Sequence, residues 1–338
     1  MPAPILLAGD IGGTKTLLSL YQAGGDRLEL LASERYSSAD WPDLAPMVAA
    51  FLSGPASAAA APHPEAACFA VAGPVRAGRA RLTNLPWHLD EELLAQACGI
   101  PRLELVNDFA VLIYGLPHLG PDQLAEIRPG QRETGSPLLV LGAGTGLGVA
   151  FGLPTPTGLQ AVASEGSHAE FAPRSGAEWA LKQWLQRHLG LERLSIERVV
   201  SGTGLGLIAR WLLATSPAGD GHALQGIGAD EGQDLPAAVA EAAAAGDALA
   251  REALDLWVGA YGSVCGDLAL TGLSRGGIWL AGGTAAKLLQ ELRSARFQEA
   301  FLAKGRLATA LAGIPIQAIT DPAVGSFSAA CRARMLLG

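Results

Sequence analysis

The chain opens on an apolar run, Ile5 to Gly9, which passes into the polar turn Asp10-Ile-Gly-Gly-Thr-Lys15. It leaves that turn through Leu17, Leu18, Leu20 and Tyr21 and stops at Gly24-Gly25. Two apolar runs around a glycine turn predict a β-hairpin, not a strand feeding a helix. The same figure returns about 130 residues later: Leu138 to Leu141 is apolar, Gly142 to Gly148 is a glycine and threonine turn, and Val149 to Gly152 is a return strand. The repetition predicts two related lobes. Between the hairpins, Trp41 to Leu52 has helical spacing, Ser53 to Pro64 is an Ala/Pro/Ser surface loop, and Ala67 to Ala72 is a strand. Asp90-Glu91-Glu92 ahead of Leu93, Leu94 and Ala97 predicts a helix with an acidic first turn, ended by Gly99. Leu103 to Val106 is a short strand that delivers Asn107-Asp108. From Gly176 onward the pattern is mostly helical, with Glu178 to Leu189 amphipathic, Leu235 to Leu273 rich in alanine, and Ala285 to Leu292 helical. Gly277 to Ala281 is a strand entering Gly282-Gly283, and Ser326 to Leu336 is a closing helix with basic last turns.

At 338 residues the chain is long enough for about two domains. Its 49% hydrophobic and 17% charged residues exclude a disordered chain, and a net charge of −8 argues against a nucleic-acid partner. A mean hydropathy of +0.27 raises the question of a membrane. The longest uncharged stretch, about Gly135 to Ser164, is interrupted by glycines and by Pro154 and Pro156, so no membrane span is expected. The first residues carry no positive charge before Lys15, so no signal peptide is expected. Cys68, Cys98, Cys265 and Cys331 are scattered, which predicts reduced thiols in a cytoplasmic protein.

Glycine allows the backbone angles and close approach by which successive N–H groups cradle an anion. Gly9, Asp10, Ile11, Gly12, Gly13 and Thr14 are candidates for one such cradle, and Gly142, Gly144, Thr145 and Gly146 for another. Gly282 and Gly283 form a third glycine pair. A tight turn without ligand is the plain alternative for any one of them. No G-x-x-x-x-G-K-[ST] loop occurs, and Gly142 to Gly148 fits neither the spacing nor the strand-to-helix context of a dinucleotide fingerprint. A polyphosphate held by two hairpins remains. Asn107, Asp108, Glu165, His168 and Glu197 are candidate hydrogen-bonding side chains. Glu165 and His168 are spaced to share one face of a helical turn. Plain alternatives exist here too: a turn or helix cap at Asn107-Asp108, a structural donor at His168, and a surface charge at Glu197.

Asp10-Ile-Gly-Gly-Thr14, Asn107-Asp-Phe109, Gly142-Ala-Gly-Thr-Gly-Leu-Gly148, Glu165-Gly-Ser-His168 and Ala281-Gly-Gly283 occur in this order. With them come Thr83-Asn84, Glu197-Arg-Val-Val-Ser-Gly202 and Phe171-Ala-Pro173. In this ordered set the chain resembles the bacterial glucokinases of the hexokinase–actin–chaperone ATPase superfamily. The resemblance implies an α/β, two-lobed, ribonuclease H-like ATPase fold with a cleft. A small domain (1–118 plus 320–338) would accompany a large one (119–319). It implies ATP-dependent phosphorylation of glucose as a step of glycolysis by a cytoplasmic homodimer. Asp108 would be the catalytic base, with Asn107, Glu165, His168, Glu197, Thr83 and Asn84 at the sugar. Gly9 to Thr14 and Gly142 to Gly148 would hold the phosphates, Asp10 would reach Mg²⁺ through water, and Ala281 to Gly283 would lie near the adenosine. Lys15 would add positive charge near the phosphates. Glu165, His168 and Glu170 also suggest a metal site, as in the zinc-containing repressor-ORF-kinase group. No cysteine-rich loop lies near His168, so zinc and that group are set aside. The alternatives are a kinase for another hexose or an N-acetylhexosamine on the same fold and, from another class, a sugar-responsive regulator or a non-sugar ATPase. With the first glycine turn at Gly9, no DNA-binding helix-turn-helix is expected ahead of it.

Overall fold

Apolar strands flanking short glycine turns fold back on themselves, and in a computed structural model of the chain both expected hairpins form. The structure describes residues 3–25, 27–54, 63–82, 85–229 and 234–338. Thr83, Asn84 and most of the loop expected at Ser53–Pro64 lie outside them.

The chain divides into two compact units. One comprises Met1–Gly120, Thr155–Ala163 and Asp321–Gly338, and the other Pro121–Pro154 and Ser164–Thr320. The segment Thr155–Ala163 groups with the first unit although it lies between two stretches of the second.

In the first unit, β1 (Ile5–Ile11) pairs antiparallel with β2 (Lys15–Gly24), and β2 pairs with β3 (Arg27–Ser37), an edge strand the hydrophobic pattern did not predict. On its other side β1 runs parallel to β4 (Ala66–Val71). A small separate sheet holds β5 (Val75–Arg76), β6 (Arg79–Arg81) and β7 (His88–Asp90). β8 (Arg102–Asn107) lies parallel to β4 and completes the order β3-β2-β1-β4-β8. The parallel register sets Ile11 beside Val71, and Val71 beside Asn107. The carboxyl ends of β1, β4 and β8 therefore share one sheet edge, where open α/β sheets place their ligands. Ile5, Leu7, Ile11, Leu18, Phe51, Phe69 and Trp87 are buried on this unit's core. The helix Glu91–Cys98 ends as its sequence predicts: Asp90 accepts from the N–H groups of Glu92 and Leu93, and Gly99 takes the left-handed conformation (φ 68°).

The second unit repeats the plan with other residues. β9 is Leu124–Arg128, β10 Leu138–Ala143, β11 Leu147–Thr155, β13 Ile278–Ala281 and β14 Ile316–Ile319, while β12 (Gly158–Ser164) falls in the first unit except for Ser164. Its strands run in the order β11-β10-β13-β14-β9. β10 is antiparallel to β11 and parallel to β13, which is parallel to β14. The series β2-β1-β4-β8 has the same sequence of antiparallel and parallel pairs, so the repetition read from two glycine turns extends to four strands in each unit. Around this sheet pack the helices Gly176–Leu189, Gly202–Thr215 and Ala248–Gly272, burying Leu139, Leu141, Leu185, Trp257, Tyr261 and Phe297. The alanine-rich stretch from Leu235 is not one continuous helix. It breaks after Ala244, turns at Gly246 (φ 92°), and restarts where Asp247 caps Ala250 N–H at 2.8 Å.

Candidate functional site

Gly9 is glycine for packing reasons. A Cβ there would lie 2.6 Å from Cδ1 of Phe69 on the neighbouring strand. Ile11 turns its side chain into the core, so it contributes only backbone to the turn. Beyond β1 the chain closes on itself, Gly12 N–H donating to Lys15 C=O at 3.0 Å. Ser38, fully buried, braces the turn. Its hydroxyl donates to Gly12 C=O (2.9 Å), its N–H donates to Thr14 C=O (2.9 Å), and its Oγ lies 3.0 Å from the Thr16 hydroxyl. Among the described residues the N–H groups of Gly13 and Thr14 find no protein acceptor. Two adjacent open N–H groups on a braced turn form an anion cradle. Thr14 and Lys15 are exposed beside it.

Asp10 is half-buried, one residue before this turn. Burial pushes its carboxyl above the ordinary value, and the Arg35 guanidinium acts against that. The C-terminal helix Val324–Met335 approaches it so closely that a Cβ on Gly325 would lie 3.2 Å from Asp10 Oδ2.

Asn107 and Asp108 end β8 at the same sheet edge. The Asn107 amide is engaged on every side. Its Nδ2 donates to Gly73 C=O (3.0 Å) and to Asp108 Oδ1 (2.9 Å), while its Oδ1 accepts from Phe109 N–H (3.1 Å) and Ala110 N–H (3.0 Å). An amide has two donors and two lone pairs, so no donor is left over for a sugar. Asn107 caps the following turn and holds the neighbouring carboxylate. Asp108 is pushed up to about 6, first by burial and then by the charge of Asp10. A carboxyl held near neutrality suits a proton acceptor.

In the second unit the turn between β10 and β11 is built alike. Gly142 stays in the ladder, opposite Gly148 and beside Ala281. Gly144 N–H closes onto Gly146 C=O at 2.8 Å, and among the described residues the N–H groups of Thr145 and Gly146 have no protein acceptor. The bracing comes from residues 197–203. Gly202 N–H donates to Gly144 C=O (2.7 Å), the Thr203 hydroxyl to Thr145 C=O (2.8 Å), and Leu147 N–H to Glu197 Oε2 (3.0 Å). Gly282 (φ 85°) opens the short helix Gly283–Lys287. Gly144, Thr145 and Gly283 line one cavity of about 750 Å³ with Thr203, Lys287 and Leu288.

Glu165 and His168 flank a single helical turn, with His168 N–H bonded to Glu165 C=O (2.9 Å) and His168 Nε2 3.7 Å from Glu165 Oε2. Their side chains are 81% and 57% exposed, so both are open to a ligand. The segment after them runs antiparallel to the one leading to Glu197, through Phe171 N–H to Leu194 C=O (2.8 Å) and Ile196 N–H to Ala169 C=O (2.9 Å). Lys182 and Arg193 draw the Glu170 carboxylate into ion pairs and hold its carboxyl below the usual range.

Within each unit, then, the anticipated residues come together: the first turn with Asp10, Asn107 and Asp108, and the second turn with Gly283 and Glu197. The bracing residues Ser38 and Thr203 and the cavity residue Lys287 escaped the sequence reading, because their partners are distant in sequence. Asp10 suits a Mg²⁺ ion, which takes one or two carboxylates with water and phosphate oxygens. Asp10 and Asp108 repel one another, and a divalent cation relieves that repulsion. Among the described residues no three His, Cys, Asp or Glu side chains form a metal-binding group, and no helix is long and apolar enough to cross a membrane.

A family model described as Glucokinase matches residues 7–336. A glucokinase of Nostoc sp. is 42% identical over 343 aligned positions, covering 98% of this chain and 99% of that protein. Among solved structures, a glucokinase from an Antarctic psychrotroph superposes with a TM-score of 0.83 at 29% identity, covering 98% of each chain. A repressor-ORF-kinase glucokinase from Streptomyces griseus, solved with glucose and AMPPNP, gives 0.61 at 20% identity over 98% of this chain and 99% of that one, a likeness of fold. The fold is that of the sugar kinases of the actin-like ATPase class.

Proposed function

Because this chain belongs to the glucokinase family, we propose that it transfers the γ-phosphoryl group of ATP to the 6-hydroxyl of glucose, yielding glucose 6-phosphate and ADP. The observation that carries the reading is Asp108, a partly buried carboxyl pushed up to about 6 at the sheet edge from which Asp10 and the Gly12–Thr14 turn emerge. Phosphoryl transfer requires positioning and electrostatics more than covalent chemistry. Asp108 accepts the proton of the attacking hydroxyl, a role that contributes roughly 10²–10⁴-fold, and Asn107 fixes its orientation through the 2.9 Å bond. The open N–H pairs at Gly13–Thr14 and Thr145–Gly146 bind phosphate oxygens, and the cavity beside Thr145 and Gly283 receives the nucleoside. The exposed Glu165 and His168, with Glu197, accept and donate hydrogen bonds to the sugar hydroxyls. Thr83 and Asn84 belong to the same sugar-binding set by resemblance.

Asp10 would hold Mg²⁺ through water, and the ion would supply charge neutralisation at the phosphate oxygens. The protein acts as a cytoplasmic homodimer at the entry of glucose into glycolysis. A coupled ADP-release assay with glucose, fructose, mannose and N-acetylhexosamines tests the reading: glucose-dependent release is expected. Release with a different sugar would reassign the substrate, and sugar-independent hydrolysis would make the protein a non-sugar ATPase. ATP binding without turnover on any sugar would leave the sugar-responsive regulator.

A further inference from the structure

Glu197 stands in the single turn Ile196–Arg198, yet its carboxylate reaches a residue 50 positions earlier. Its Oε2 takes Leu147 N–H at 3.0 Å, directly behind the glycine turn. Gly146 makes room for it, since a Cβ there would lie 2.5 Å from the same oxygen. The segment that carries Glu197 is fastened in turn. The Ser201 hydroxyl donates to Glu197 C=O (2.7 Å) and accepts from Gly204 N–H (2.9 Å), and the indole of the buried Trp257 donates to Ser201 C=O (2.9 Å). With Leu147 N–H taken by Glu197 and Gly144 N–H closed on Gly146, the donors left to a phosphate are those of Thr145 and Gly146. Glu197 thereby fixes which N–H groups of the turn are available. Its second oxygen, Oε1, has no protein hydrogen-bond partner among the described residues.

We infer that Glu197 is a positioning residue of the phosphate-binding turn as well as a sugar ligand, and that one carboxylate shared between Leu147 N–H and a sugar hydroxyl couples sugar binding to nucleotide binding. The inference rests on the proposed sugar and phosphate sites. A hydroxyl on Oε1 immobilises the carboxylate, which immobilises the turn, so the second ligand to bind loses less freedom. The coupling is reciprocal.

The test titrates AMPPNP calorimetrically into sugar-free and glucose-saturated protein, for the parent chain, Glu197→Gln and Glu197→Asp. In the parent, glucose tightens AMPPNP about fivefold or more. In the variants the sugar-free AMPPNP Kd rises about tenfold, as loss of a hydrogen bond to a charged group implies, and glucose no longer changes it. A residue that only touched sugar would leave sugar-free AMPPNP binding alone. That outcome, a sugar-free Kd within about twofold of the parent while glucose binding collapses, overturns the inference. If circular dichroism shows the Glu197 variants unfolded, Gly146→Ala takes their place, because its methyl displaces the carboxylate from Leu147 without removing it. The same loss is expected there. If the parent chain neither binds nor phosphorylates glucose, the proposed function fails, while sugar-free AMPPNP binding still decides the positioning role.

Discussion

Replacing Asp108 by asparagine should destroy turnover and at the same time make the protein more stable. Asp108 is raised from 3.8 to about 6, with burial as the larger cause and Asp10 as the lesser. The folded state therefore favours the protonated acid. The stability this group contributes is full below the unfolded value of 3.8 and is lost as pH climbs through about 6. At 1.36 kcal/mol per pK unit, the ionised group destabilises the fold by roughly 3 kcal/mol at pH 7.5, about 1.6 at pH 5 and about 0.6 at pH 4. Asparagine is nearly isosteric, keeps an oxygen for the Asn107 amide, and carries no charge to desolvate. Asp108→Asn should gain about 2–3 kcal/mol at pH 7.5, shrinking towards zero at pH 4, while kcat falls by about 10²–10⁴. Urea denaturation of both proteins at pH 4, 5 and 7.5, with kcat measured on the same preparations, checks both halves. A variant no more stable than the parent at pH 7.5, or equally more stable at all three, would refute the desolvation argument. Near-normal turnover would remove Asp108 from the chemistry.

The ionised base implies that kcat/KM of the parent falls as pH drops through about 6; a flat profile between pH 5 and 7.5 would contradict it. Gly9→Ala forces a methyl against Phe69 between two buried strands and should cost about 1–3 kcal/mol by denaturation, with little change if the strands can part. Ser38→Ala leaves Gly12 C=O without its hydroxyl donor and should cost about 1–3 kcal/mol and weaken AMPPNP; unchanged nucleotide affinity would show that the brace is dispensable. Asp10→Asn should raise the Mg²⁺ concentration needed for half-maximal turnover about tenfold or more, and excess EDTA should stop the parent enzyme altogether. Activity that survives EDTA would remove the metal from the mechanism.

What the sequence made legible were elements whose signal is local. Both hairpins were written in apolar runs broken by glycines, and the helix at Glu91 in its acidic cap and terminal Gly99. β3 escaped because an edge strand need not alternate: Arg27–Ser37 buries only Ala32, and its charged residues are what keeps such an edge from pairing with other chains. The separation of the alanine-rich stretch into two helices escaped because Gly246 and Asp247 form a turn of only a few residues inside a helical composition. At the site, the hydrogen bonds that employ individual side chains were not readable. The residues alone favoured a cap at Asn107 and the resemblance a sugar ligand, and only the geometry shows all four hydrogen-bonding positions of its amide in use. Ser38 and Glu197 act on turns 26 and 50 residues away, and no window along the chain connects them.

In both hairpins the groups that would meet the nucleotide are peptide N–H groups, which no replacement short of proline can delete. Damage must arrive indirectly, through whatever keeps those amides aimed outward. Inactivating substitutions should therefore scatter over Ser38, Gly202, Thr203 and their neighbours, positions that a list of ligand contacts would pass over as bystanders.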